Sequence, residues 1–208
     1  MANCVLKDQN VTQSTKELTL QVVQGILDTN LKVKNAQLIR VAVNMMRNNF
    51  ISPALSLFLR KLMKRLTGNE LGAMTQHLFD FEPTPRKRYL DELFAYDKPL
   101  FCPTWFSTQI WILHFDENYK QIARKIWNKY GLYLHDSLKL REETQERNIF
   151  MYLRSKNTAV IDATVKATVA AAELYKDQMD SIVEDLVAFY ESEWAILSKE
   201  SAIGLEAD

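Results

Sequence analysis

Phe106–Leu132, FSTQIWILHFDENYKQIARKIWNKYGL, predicts two amphipathic helices and the turn between them, and this pattern indicates the fold class. Apolar residues recur three and four positions apart on both sides of the turn, which places each set on one side of a helix. The first set is Trp105, Ile110, Trp111, Leu113 and Phe115, and the second is Ile122, Ala123, Ile126, Trp127 and Tyr130. Gly131 follows the second set, where a left-handed cap commonly ends a helix.

The same spacing extends along most of the chain. It begins with Leu18, Val22, Ile26 and Leu27, continues through a set that Gly68 is expected to end, and finishes with Met179, Ile182, Val183, Leu186, Val187, Tyr190 and Trp194. Pro103 is expected in a first helical turn, and Leu138–Leu153 is expected to form a further helix. The chain has only 5 Gly and 5 Pro in 208 residues, and no alternating pattern of useful length. The fold class predicted is therefore all-α.

Three short polar turns separate successive helices, at Asp80–Pro85, Phe115–Tyr119 and Arg154–Val160. Phe81 and Asp116 are 35 residues apart, and Asp116 and Asn157 are 41 apart. Periods of about 35–47 residues with two helices per unit are typical of HEAT and armadillo stacks. We therefore expect residues 1–208 to form one segment of a HEAT/armadillo-type α-solenoid of antiparallel helix pairs, within a longer solenoid. A four-helix bundle is the alternative.

Sequence signatures of catalysis and metal binding are absent, including a glycine-rich phosphate loop, GxSxG, HExxH and paired-cysteine zinc spacing. His77, His114 and His135 are widely spaced, so we interpret them as structural. Cys4 and Cys102 lack CxxC spacing and are expected to be reduced thiols. No apolar run reaches the length of a membrane span. These features predict no catalytic, cofactor or metal site, and a cytoplasmic location.

Acidic and aromatic residues also have simple structural interpretations. Asp116 is expected to cap the helix that begins near Asn118. Glu142 and Glu143 are adjacent in sequence, so their side chains are expected to point in different directions and not to act as a catalytic pair. The acidic residues Asp177, Asp180, Glu184 and Asp185 are expected to form the solvent-exposed face of the last long helix. Tryptophans are expected in the core, with Trp105 the candidate for exposure.

Two basic groups are the candidate site for contact with nucleic acid or the ribosome. They are Arg60, Lys61, Lys64 and Arg65, along one flank of a helix, and Arg86, Lys87 and Arg88, at a helix start where cations oppose the helix dipole. Residues 1–104 hold 14 Lys and Arg against 9 Asp and Glu, whereas residues 105–208 hold 12 against 17. A phosphate backbone would bind such cations through counterion release, but ordinary solvated helix faces give the same pattern.

Residues 106–132 resemble the general control non-derepressible protein family, the giant HEAT-repeat translational activators of general amino-acid control. The matching positions are Ile110–Trp111, Phe115–Asp116, Ile126–Trp127 and Gly131–Leu132, while Tyr119 replaces the usual aliphatic residue. The likeness continues more weakly through Leu138–Trp194. Residues 70–100 share only the repeat pattern, and residues 1–69 are not placed in the register.

This resemblance implies a cytosolic, non-catalytic scaffold along ribosomes, which relays amino-acid starvation or ribosome stalling to the kinase of the initiation factor two alpha subunit. The implied partners are the ribosome, through protein or rRNA, and that kinase with its accessory proteins, with no cofactor, membrane or small-molecule substrate. One alternative is a generic α-solenoid adaptor for transport or a phosphatase. Another is a HEAT-like alkylpurine DNA glycosylase.

Overall fold

The computed structural model describes residues 12–29, 33–50, 52–98, 100, 104–134, 149–176 and 179–205. None of these residues lies in a strand, so the all-α prediction is confirmed. The helices are α1 Gln13–Asp28, α2 Asn35–Arg47, α3 Pro53–Arg65, α4 Gly68–Thr75, α5 Pro83–Ala95, α6 Thr104–Leu113, α7 Lys120–Tyr130, α8 Thr158–Leu174 and α9 Met179–Leu205, with short 3-10 helices at Leu78–Asp80 and Ile149–Arg154.

Local sequence explains where several helices begin and end. The side chains of Thr12, Ser52 and Asn157 each accept a hydrogen bond from the first turn of the helix that follows. Thr67 and Glu70 form a reciprocal capping box at the start of α4. Gly131 ends α7 in the left-handed conformation, as its position predicts. Asp116 accepts a hydrogen bond from the Asn118 backbone amide, 2.9 Å away, and thereby shapes the turn before α7.

The helices form two rows. In the first row α1, α3, α5 and α7 lie side by side, each packing on the next in chain order. Behind them α2 contacts α3, α4 and α5, and α6 contacts α7 and α8. This is the arrangement of an α-solenoid, in which helix pairs bury their apolar faces against neighbouring pairs. It also extends to α1–α3, within residues 1–69, whose register the sequence left open.

Side-chain hydrogen bonds between successive pairs follow a regular register. Arg65 Nη2 donates to the Val33 carbonyl at 2.8 Å, a separation of 32 residues. Tyr96 Oη donates to the Leu66 carbonyl, 30 residues away, at 3.4 Å. Tyr130 Oη donates to the Leu93 carbonyl, 37 residues away, at 2.9 Å. Each donor lies near the end of one front-row helix, and each acceptor lies in or after the last turn of the preceding front-row helix.

The buried apolar residues form two clusters that meet at α6. Ile110 and Leu113 belong to the larger cluster, which extends from α1 to α7. Ile112 belongs to the second, with residues of α8, α9 and the 3-10 helix Ile149–Arg154. Trp111 Nε1 also donates to the Ala167 carbonyl of α8 at 3.0 Å. Both sides of α6 are therefore buried, which couples the two clusters.

Several sequence predictions about individual residues are wrong. Leu18 and Val22 are exposed, because α1 packs through Leu20 and Val23 instead. Gly68 starts α4 and does not end α3, since the capping box at Thr67 opens a new helix.

Two predictions about tryptophans are also wrong: Trp105, expected to be exposed, is buried, and Trp194, expected in the core, is exposed. Trp105 is only 7% exposed and packs edge-to-face on Phe106, at a centroid distance of 6.4 Å. Trp194 is 74% exposed, because α9 contacts the second cluster through a different side. The predictions for Cys4, Cys102, Pro103, His135, Glu142–Glu143, Asp177, the side chain of Asp185 and the part of Leu138–Leu153 before Ile149 lie outside the described residues.

Candidate nucleic-acid interface

Arg86 is the one member of the predicted basic groups that the structure buries, with 1% exposure. Its guanidinium donates to the carbonyls of Leu78, Phe79 and Phe81 at 3.2, 3.1 and 2.9 Å. It also lies 5.3 Å from the centre of the Tyr119 ring. Burial lowers the pKa of Arg86, and nearby Tyr119 and Asp116 oppose that effect. Arg86 therefore stabilises the 3-10 turn. The prediction that it contacts nucleic acid or the ribosome at the surface is wrong, because its side chain is buried.

Arg60 and Lys61 connect front-row helices through ion pairs. Arg60 on α3 donates to both carboxylate oxygens of Glu92 on α5, at 3.0 and 2.9 Å. Hydrogen bonding and charge from Glu92 raise the pKa of Arg60. Lys61 reaches Asp28 at the end of α1, at 2.6 Å. Each ion pair partly neutralises a cation that the sequence analysis proposed for contact with nucleic acid or the ribosome.

Arg65 and Arg88 donate to carbonyls at the ends of neighbouring segments. Arg65 bonds to Val33, as described above, and Arg88 Nη1 donates to the Ser52 carbonyl at 2.6 Å. Both side chains remain partly exposed. Arg65 and Arg88 therefore connect neighbouring helix pairs through hydrogen bonds to the backbone.

Lys64 and Lys87 are exposed, and their ammonium groups have no partner among the described residues. They lie on α3 and α5, two adjacent helices of the front row. Of the seven predicted residues, these two are the ones that the structure leaves available to an external anion.

A second basic element lies on α7, a helix that the sequence predicts from its apolar residues alone. The helix carries Lys120, Arg124, Lys125 and Lys129 and contains no acidic residue. Arg124 and Lys125 are exposed and have no ion-pair partner in the described part of the chain. The signal that could have found this element is the excess of cations on one helix. This excess does not by itself indicate a binding site, because Lys and Arg are common on the solvent-exposed side of any amphipathic helix.

Contacts to α5 place the α7 cations beside the α5 surface. Lys125 Nζ lies 5.9 Å and Lys129 Nζ 5.3 Å from the centre of the Phe94 ring. Lys129 also donates to the Tyr96 carbonyl at 2.5 Å. Lys64, Lys87, Arg124 and Lys125 are exposed cations carried by three consecutive front-row helices. We call these four residues the basic face.

His77 and His114 take part in local packing. His77 Nδ1 lies 3.1 Å from Asp80 Oδ2, and this contact, followed by that of Arg47, lowers the pKa of Asp80. His114 Nδ1 lies 2.8 Å from the Ile110 carbonyl, and burial between aromatic rings lowers its pKa. Both contacts agree with the structural roles predicted from sequence.

A cleft of about 910 Å³ opens between the turn before α5 and the turn before α8. Phe79 and Tyr152 are among its apolar lining, and Arg47, Asp80, Glu82, Arg154 and Lys156 supply charges of both signs. Across the described ranges, no group of three His, Cys, Asp or Glu side chains is placed to hold a metal ion. Likewise, no described helix is both long and apolar enough to cross a membrane.

Comparison with models of known protein families gives a match. The family model described as "Stalled ribosome sensor GCN1, HEAT repeats" matches residues 103–205. Searches of curated proteins and of solved structures give no match. The matched segment contains the described helices α6–α9 and therefore α7 with its four cations, whereas all seven sequence-predicted contact residues lie before it.

Proposed function

Residues 103–205 belong to the HEAT-repeat family of the stalled ribosome sensor GCN1, and from this premise we propose that the chain is a scaffold segment of a ribosome-associated translational regulator. In this proposal the segment has no catalytic activity. It acts in the cytoplasm and promotes activation of the initiation factor two alpha kinase during amino-acid starvation or ribosome stalling. The family match is the observation that carries the proposal.

The basic face is the proposed contact with the ribosome. Exposed cations on three adjacent rigid helices can meet successive phosphates of a folded RNA without ordering a loop. Each neutralised phosphate releases counterions, so binding of this kind weakens steeply as salt rises. Arg65 and Arg88, which donate to backbone carbonyls, add to the local positive potential but are held by the fold.

Charge reversal of the basic face tests the ribosome contact. The variant Lys87→Glu/Arg124→Glu/Lys125→Glu should cosediment with purified ribosomes at least about tenfold more weakly, with a salt slope lower by up to about three. The matched control is Lys34→Glu/Arg40→Glu/Lys156→Glu, which changes net charge equally at exposed sites elsewhere. Equal binding by the two variants would remove the basic face from the proposal. No cosedimentation of the unaltered chain would contradict ribosome association itself.

The role in kinase activation needs a separate measurement. Phosphorylation of the initiation factor two alpha subunit should increase when the chain, the kinase and stalled ribosomes are present together, compared with the kinase and ribosomes alone. The basic-face variant should lose this increase in proportion to its loss of ribosome binding. An increase that does not depend on ribosomes would favour the alternative of a generic solenoid adaptor.

A further inference from the structure

The cleft between the turns before α5 and α8 lies where the two apolar clusters meet. Phe79, which lines this cleft, packs against both clusters. Its ring contacts that of Tyr152 edge to face, at a centroid distance of 4.9 Å, so the 3-10 helices Leu78–Asp80 and Ile149–Arg154 touch each other beside the cleft. Pockets that bind ligands commonly have volumes of about 300–1,000 Å³. We call this space of about 910 Å³ the turn cleft, and its volume is sufficient for a short peptide.

Cations outnumber carboxylates in the turn cleft. The charged residues of its lining are four cations and two carboxylates, with a net charge of +2: Arg47, Arg86, Arg154 and Lys156, and Asp80 and Glu82. Glu193, which pairs with Arg154 but does not line the cleft, lowers this excess to +1. The turn cleft therefore favours an anionic ligand over a cationic one.

Hydrogen-bond donors are also in excess. Arg47 contacts Asp80 and His77 through Nη2 alone, and a guanidinium has five N–H donors, so several remain unused. Lys156 is exposed, and its ammonium group has no partner in the described part of the chain. Asn157 Oδ1 accepts the capping hydrogen bond of α8, which leaves the side-chain amide nitrogen to donate. Such donors suit a ligand that is rich in acceptors, such as carboxylates and peptide carbonyls.

The same lining is unfavourable for a nucleic-acid strand. Asp80 and Glu82 repel a chain that carries a phosphate at every nucleotide. Phe81 and Tyr152 are 1% and 9% exposed, so neither offers an open ring face on which a base can stack. A peptide, in contrast, can place one or two carboxylates beside the cations and an apolar side chain against Phe79. The mixed lining therefore fits a peptide better than RNA.

We propose that the turn cleft binds a short acidic segment of a partner protein. An apolar side chain of this segment packs against Phe79 and Met151, and a neighbouring carboxylate pairs with Lys156. The side-chain amide of Asn157 donates to a backbone carbonyl of the segment. This inference does not depend on the proposed ribosomal role, because none of these residues belongs to the basic face.

Fluorescence anisotropy with the whole chain tests the class of ligand. The probe is a pool of fluorescein-labelled hexapeptides in which aspartate or glutamate alternates with leucine, isoleucine, valine, phenylalanine or methionine. This acidic, apolar pool should bind with a Kd of about 10–300 μM. A second pool has lysine or arginine in place of the acidic residues, and a third has serine in place of the apolar ones. Both should bind at least about tenfold more weakly.

Two results of this experiment would overturn the proposal. One is the lack of saturable binding by the acidic, apolar pool. The other is equally tight binding of either control pool or of a labelled uridine hexanucleotide, because the turn cleft would then not select an acidic peptide with apolar side chains.

Two substitutions of opposite sign test where the peptide binds. Lys156→Glu should weaken binding of the acidic, apolar pool about fivefold, and Glu82→Gln should strengthen it about threefold, because they change the charge of the cleft in opposite directions. Glu82 is exposed and makes no side-chain cap on α5, so its replacement leaves the start of that helix intact. Unchanged affinity in both variants would contradict the proposed site.

The matched control is Lys87→Glu, which makes the same change of charge as Lys156→Glu but on the basic face. It should leave peptide binding unchanged. Equal weakening by the two variants would show that overall charge, and not the turn cleft, controls binding. Lys156→Glu should in turn keep ribosome cosedimentation, so failure of one proposal is distinguishable from failure of the other.

A bulky side chain tests the volume of the cleft. Gln76 is exposed and lines the turn cleft, so Gln76→Trp should fill part of it and weaken peptide binding at least about tenfold. Gln121→Trp, at an exposed position of α7, is the matched control and should bind like the unaltered chain. Both variants should keep the far-ultraviolet circular dichroism of the unaltered chain. Full peptide binding by a folded Gln76→Trp variant would exclude the turn cleft as the site.

Discussion

Arg86 connects the 3-10 turn after α4 to the start of α5, although its sequence neighbours Lys87 and Arg88 suggested a shared surface role. Its buried guanidinium donates to the carbonyls of Leu78 and Phe79 in the 3-10 helix and to that of Phe81 just after it. Buried backbone acceptors without donors are costly, so this side chain compensates for the irregular backbone.

Replacing Arg86 should therefore destabilise the fold. Arg86→Met keeps much of the side-chain volume but removes every donor, and it should lower the free energy of unfolding by about 2–4 kcal/mol. Relief from burying a charge offsets part of the loss. Urea denaturation measures the difference. Lys87→Met is the matched control, because this neighbour is exposed and its substitution should change stability by less than about 0.5 kcal/mol. Equal midpoints for the two variants would show that the carbonyl contacts are dispensable.

At the scale of single elements, short helices depend most on their caps. α4 has only eight residues, so tertiary packing and the capping box must stabilise it together. The Thr67 hydroxyl accepts a hydrogen bond from the Glu70 amide at 3.3 Å, and Glu70 Oε2 accepts one from the Thr67 amide at 2.9 Å. The Asn35 side chain also donates to Glu70 at 2.8 Å, which connects the cap to α2.

Thr67→Ala should lower the free energy of unfolding by about 1 kcal/mol, because it leaves the Glu70 amide without its side-chain acceptor. The same substitution at Thr158 should have little effect, since Asn157 caps α8 and Thr158 is exposed in the first turn. Thermal unfolding of the two variants provides the comparison. A loss at Thr158 as large as that at Thr67 would mean that helix propensity, rather than capping, controls these helix starts.

At the scale of the whole molecule, stability should vary along the array, because the end helices have fewer neighbours than the middle ones. α3 and α5 pack on both sides within the front row, and α6 joins the two apolar clusters. α1 lacks a neighbour on its outer face among the described residues, and Val187, Tyr190 and Trp194 of α9 are exposed. Nearest-neighbour stacking makes such ends the first parts to open.

Amide hydrogen exchange should show this gradient. We expect the slowest exchange in α3, α5 and α6 and faster exchange in α1 and in α9 beyond Tyr190. Uniform protection from α1 to α9 would mean that the array unfolds as a single cooperative unit.

Local sequence patterns were enough to predict most of the helices and the turns between them. Apolar spacing and the left-handed Gly131 act within about one helical turn, so they can be read locally. The spacing between turns predicted a repeat, and the motif at 106–132 indicated its family. Which charged and apolar side chains are available to partners depends instead on tertiary packing. The partners of Arg60 and Arg65 lie 32 residues away, and both sides of α1 are apolar, so side-chain availability depends on which neighbour packs where.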